Sequence, residues 1–135
     1  MGHGEKVALW RLHKARGGEM IKAYLCCPYS SNDSEVRERR VLAADECAAW
    51  LLEQGFNVFS PLSHSHRIAH FMDNHNDVDF WVNLCMDFVD WCDVIAIMKI
   101  DGWKTSRGIS IERLHALGKK QEVFIERGSD GWRFV

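Results

Sequence analysis

Asp93-Val-Ile-Ala-Ile-Met-Lys-Ile-Asp-Gly-Trp-Lys-Thr-Ser-Arg-Gly-Ile-Ser-Ile-Glu-Arg-Leu-His-Ala-Leu-Gly-Lys-Lys120 is the stretch whose reading decides the fold of this chain. Its opening, Val94 to Met98, is a short apolar run rich in β-branched side chains and bounded by polar residues, the pattern of a buried strand. A polar loop with Gly102 and Gly108 follows. Ile109, Ile111, Leu114 and Leu117 are then spaced as one face of a short helix. Gly118 is its stop, and two lysines just beyond suit the negative helix end. In such a strand–loop–helix unit, ligands sit at the carboxyl end of the strand, against the helix N-terminus. Glu112 lies near that N-terminus, six residues after Ser106. A carboxylate held there as an anion suits a nucleophile better than an acid, so Glu112 is the expected centre of the chemistry.

Working outward, the chain alternates strands and helices. Ile21 to Cys26 is a short strand, followed by the polar turn Cys27-Pro-Tyr-Ser-Ser-Asn-Asp33. Asp33 or Ser34 can cap a helix running to about Gln54, with Val41, Ala44, Ala48, Leu51 and Leu52 inward and Gly55 ending it. Phe56 to Ser60 is a second strand, stopped by Pro61. Residues 61–78 read as a long polar loop carrying His64, His66, His70 and His75, and such a loop in a compact domain is usually functional. Asp79 to Trp91 is a helix feeding the Val94 strand, Glu122 to Glu126 is a fourth strand, and Trp132 to Val135 a short edge. The alternation predicts a three-layer α/β domain over residues 20–135, flavodoxin- or Rossmann-like. Its sheet is four- to five-stranded, mainly parallel and joined by right-handed crossovers.

With 135 residues, the chain is long enough for one domain with a real core. A net charge of −2 gives no reason to expect nucleic-acid or anionic-membrane binding. No apolar run approaches the ~20 residues of a membrane span, and no signal-peptide pattern opens the chain. The five cysteines show no C-x-x-C spacing and read as reduced thiols of a cytoplasmic protein. Residues 1–19 fit the pattern poorly. They read either as an extension upstream of a natural start at Met20, since Arg16-Gly-Gly-Glu19 is what a purine-rich ribosome-binding sequence would encode, or as a peripheral helix.

Three segments at matching strand ends carry a resemblance: Tyr24-Leu-Cys-Cys-Pro-Tyr-Ser30, Phe59-Ser-Pro-Leu-Ser-His-Ser-His66 and Ser106-Arg-Gly-Ile-Ser-Ile-Glu112. Over roughly Met20 to Ile125 the chain resembles the nucleoside 2-deoxyribosyltransferase superfamily, in particular its small phage and bacterial members of unassigned function. The resemblance implies a glutamate nucleophile, Glu112, that attacks the anomeric carbon of a deoxyribonucleoside and forms a covalent glycosyl-enzyme. Water or a second base then resolves it, the logic of a retaining glycosidase. It implies that Tyr24 orients the nucleophile and that Ser106 falls where hydrolases of 5′-monophosphates bind phosphate, with Ser30 or Ser31, Arg107 and Gly108 around it. It also implies an acid/base aspartate two helical turns before Asp93. That position is Cys85, with Asp87 and Asp90 nearby. Either Asp87 takes the role, or the activity differs and the chain is a non-catalytic nucleotide-binding domain. Family members form dimers or larger assemblies with a neighbouring chain completing each site, and the tail from Glu126, with Trp132 and Phe134, is the candidate contact.

Each residue also has a plainer role open to it. Tyr24 can be a core tyrosine, Asp93 a cap or strand start, and Arg37, Arg39 and Arg40 a solvated face with one reaching a phosphate. His64 or His66 is expected to line the base pocket through a neutral imidazole, with Phe80, Trp81 or Trp103 stacking on the base. The histidines together with Asp73 could instead bind zinc, but no paired cysteines or helical H-x-x-x-H spacing complete a set, and carboxylate chemistry needs no cofactor.

Overall fold

The computed structural model describes residue 17, residues 19–73 and residues 77–135. The extension expected over residues 1–19 lies outside the described residues but for Gly17 and Glu19, and so does His75.

Five strands form one sheet: β1 (Lys22–Cys26), β2 (Asn57–Phe59), β3 (Val94–Met98), β4 (Gln121–Gly128) and β5 (Gly131–Phe134). Their order is β2-β1-β3-β4-β5; the first four are parallel, and β5 runs antiparallel to β4. Four helices accompany them: α1 (Ser34–Glu53), α2 (Pro61–Ala69), α3 (Val78–Trp91) and α4 (Arg107–Ala116). The α1 helix packs on one face of the sheet, α3 and α4 on the other, giving three layers. From β1 the chain turns to β2 in one direction and from β3 to β4 in the other. One crossover hand therefore puts α1 and α4 on opposite faces. The strand order reverses between β1 and β3, which opens a crevice at their carboxyl ends. No described helix is long and apolar enough to cross a membrane.

The β1 strand distributes its side chains by the two-residue alternation of a strand. Ala23, Leu25 and Cys27 enter the core under α1, while Tyr24 and Cys26 enter the one under α3 and α4. Asp93 fixes the register: its carboxylate accepts from the Lys22 amide at 2.9 Å, and its own amide donates to the Lys22 carbonyl at 2.8 Å. Asp93 therefore starts the β3 strand, as one of the readings of the sequence has it.

Three local expectations are corrected. Residues 61–69 are a helix rather than a loop, because Pro61 sits in its first turn, where a proline starts a helix instead of stopping a strand. The inward stripe of α1 is Ala43, Ala44, Cys47 and Leu51, and Leu52, one step round the helix, is exposed. In α4, Leu114 and Leu117 are exposed; the helix starts at Arg107, capped by Ser106, and its inner face carries buried Ile109 and Ala116 with half-buried Glu112 between them. At the C-terminus, Phe134 folds back into the core against Trp50 and Phe56, with ring centroids 4.9 and 5.9 Å apart. Arg127 covers Trp132 at 4.4 Å.

Candidate active site

The parallel register sets Tyr24 of β1 level with Phe59 of β2 and Ile95 of β3, so all three share the face beneath α3 and α4. Tyr24 is fully buried, and its hydroxyl donates to Oε2 of Glu112 in a short hydrogen bond. Tyr24 is thus both a core tyrosine and the partner of Glu112. The Cys26 thiol, also fully buried, interacts with the same carboxyl.

Glu112 does not owe its character to the helix N-terminus. It is the sixth residue of α4, beyond the first turn over which the helix dipole acts. Its side chain points down onto β1, where burial disfavours the charged form and pushes its pKa up to about 7, against the opposing pull of Tyr24 and Cys26. Burial and the nearby Glu112 charge together push the Tyr24 phenol far above its ordinary range, so it stays neutral and donates.

Cys85, not Asp87, is the α3 side chain at this centre. Its thiol interacts with the Tyr24 hydroxyl, and burial followed by the Glu112 charge raises its pKa. Asp87 is two residues on, 200° around the helix at 100° per residue, and exposed. A shift of α3 large enough to bring Asp87 in would take Val89 and Cys92 out of the core. Asp90 is bound to His115 at 2.7 Å and Glu122 to Arg113 at 2.7 Å. Among the described residues, the groups that act on Glu112 and Tyr24 are each other, Cys26 and Cys85; none is a second carboxylate.

The β2 side of the crevice is aromatic. Phe59 lies 6.0 Å from the Tyr24 ring and stacks on Phe88 of α3 at 3.7 Å. His64, in α2, rests against both, 5.4 Å from Phe59 and 6.3 Å from Phe88, with Nδ1 on the Ser65 hydroxyl at 2.9 Å. His64 therefore lies against this aromatic pair. His66 does not: it is buried, with Nδ1 on the Tyr29 hydroxyl at 2.7 Å and Nε2 on Glu38 at 2.8 Å. With both ring nitrogens engaged, it ties the β1–α1 loop to α1 and α2 and has none left for a base edge. That hydrogen bond also holds the Glu38 carboxyl below its ordinary range. His70 closes on His66, Nδ1 to its carbonyl at 2.8 Å. No group of three or more His, Cys, Asp or Glu among the described residues could hold a metal ion.

The residues expected around a phosphate lie in the loops before α1 and α4 and in the first turn of α4. Ser106 Oγ accepts from the Ile109 amide at 3.2 Å, capping α4 and leaving its hydroxyl proton to donate. Arg107 and Gly108 are exposed in the first turn. Ser31 Oγ accepts from the Asp33 amide, and the Ser31 and Ser30 carbonyls accept from Arg37 and Arg40. Arg40 also reaches the Asp101 carbonyl at 3.3 Å, joining the loops after β1 and β3. Gly102 makes room for it: its φ is +93°, and a Cβ there would lie 2.5 Å from the guanidinium. The sequence left these two arginines on a solvated face with one reaching for a ligand; at this rim both hold loop carbonyls.

Trp103 packs on Phe124 of β4 at 5.9 Å, flanked by Lys99 and Lys104. It lines a groove along α4 with Arg113 and Leu117 and also packs against the cluster that holds Tyr24. Phe80 is exposed and meets the Trp81 ring at 5.0 Å.

The family model described as "Domain of unknown function (DUF1937)" matches residues 21–127. The chain belongs to this family. The matched span of this DUF1937 protein contains all of β1 to α4 and with it Tyr24, Cys85 and Glu112. No curated protein matches the chain.

Proposed function

We propose that this DUF1937 protein cleaves or exchanges the N-glycosidic bond of a (deoxy)nucleoside or its 5′-monophosphate, with Glu112 as nucleophile, as the resemblance to the nucleoside 2-deoxyribosyltransferase superfamily implies. The supporting observation is the Tyr24–Glu112 hydrogen bond at the point where the sheet order reverses. A half-buried glutamate on the inner face of a helix, aimed at a buried tyrosine, serves no packing need. Ionised, it can attack an anomeric carbon, and Tyr24 would orient the attacking oxygen. Ser106, with a hydroxyl proton to donate, suits a 5′-phosphate. The proposed setting is a cytoplasmic, phage-related protein that clears or salvages nucleotides. A homodimer is proposed as its working form, supported by Leu114 and Leu117, 72% and 73% exposed on α4.

The test is chromatography of free base released from a panel of nucleosides and 5′-monophosphates by wild type and Glu112→Ala, with and without an acceptor base. Base release is expected to fall at least 10³-fold in the variant. The acid side of its wild-type pH profile is expected to climb toward about 7, where Glu112 ionises. Dependence on the acceptor marks a transferase. The second proposal is a non-catalytic nucleotide-binding domain, which Cys85 beside Tyr24 favours. Nucleotide binding with no release from any substrate, unchanged by Glu112→Gln, would establish it instead.

A further inference from the structure

A glycosidic nitrogen leaves with the bonding electron pair and needs a proton as it goes, and glycosidases supply it from a second carboxyl group. This crevice has no such group among the described residues. The Tyr24 proton is committed to Glu112, Cys26 is fully buried and Asp87 points outward. The Cys85 thiol lies beneath Tyr24 and holds its proton, because burial raises its pKa.

His64 meets the need. It is exposed, it leans on Phe59 and Phe88, and Phe59 adjoins Tyr24. Nδ1 is on the Ser65 hydroxyl, and Nε2 has no partner among the described residues. An imidazole gives and takes protons near neutral pH, as an acid/base group must.

We infer that His64 is the acid/base residue of this crevice, donating through Nε2 to the leaving base. The inference rests on the reading of Glu112 as nucleophile. In the first step a Glu112 oxygen bonds the anomeric carbon, the C–N bond breaks toward the base, and the Nε2 proton passes to the base nitrogen. In the second step neutral His64 takes a proton from water as its oxygen attacks the anomeric carbon, and the Glu112 carboxylate departs.

The experiment compares two leaving groups. A nucleobase requires the proton, whereas the 4-nitrophenolate of a 4-nitrophenyl 2-deoxyriboside leaves without it. His64→Gln and His64→Ala are expected to lower base release at least 10²-fold and to change nitrophenolate release by less than about threefold. Added imidazole should restore base release to His64→Ala. Base release by both variants within about threefold of wild type would overturn the role of His64, as would an equal fall with both substrates, which marks a binding or folding role. Nitrophenolate release by wild type that Glu112→Ala abolishes keeps the nucleophile in place whichever way His64 falls. Release of neither product by wild type would overturn both.

Discussion

The two faces of the sheet are built from the same strands and differ in kind. Under α1, Leu25, Leu51, Met98, Val123 and Ile125 pack together with the thiols of Cys27 and Cys47. Under α3 and α4, the same strands place Tyr24 and Cys26 beside Ile95 and Ile97, with Glu112 lowered onto them. A buried carboxyl without a cationic partner lowers stability, whereas an apolar side chain of that size would raise it. The first face is apolar throughout its packing, and the second gives up stability to hold a carboxyl against a buried tyrosine.

Substitutions on each face can break or sharpen that contrast. The largest effect is expected on the apolar face. Leu51 is fully buried, and Leu51→Ala should cost about 2–5 kcal/mol, read as a fall in the urea midpoint at constant slope. On the polar face the sign reverses. The folded protein binds the Glu112 proton more tightly than the unfolded chain, so this group's contribution weakens as the pH rises from the ordinary carboxylate range through about 7. Glu112→Gln removes the ionisation and should stabilise the protein by up to about 3 kcal/mol at pH 8.5. At pH 4 it should have almost no effect. Thermal melts at the two pH values check this, and a Glu112→Gln variant less stable than wild type at pH 8.5 would break the contrast. The smallest effect is expected of Asp87→Asn: stability within about 0.5 kcal/mol and unchanged base release, since this carboxylate is solvated on the outer side of α3. Loss of base release in Asp87→Asn would mean that α3 turns a different face to the crevice.

Much of the fold was legible because it rests on local patterns. Val94 to Met98 is β-branched and apolar, Asp33 caps its helix, and Gly55 and Gly118 follow helix ends at positive φ. Pro61 misled because proline ends a strand and begins a helix equally well, and only the packing of α2 against α1 and β1 distinguishes them. Ile109 and Glu112 lie three residues apart on one helical face, which was a readable signal, but Ile111, Leu114 and Leu117 offered a more apolar stripe and obscured it.

The sequence by itself determined the alternation of strands and helices outside residues 61–69 and the Asp33 cap, because propensity, period and turn chemistry act over a few residues. Tertiary structure alone decided what surrounds Glu112. Tyr24 and Glu112 are 88 residues apart in the chain, and Phe59, His64, Cys85 and Phe88 come from three further elements. Their meeting depends on strand register and helix rotation. A one-residue slip in β1 or a 100° turn of α3 would exchange each of them for a neighbour, and nothing local to any of these segments specifies that choice.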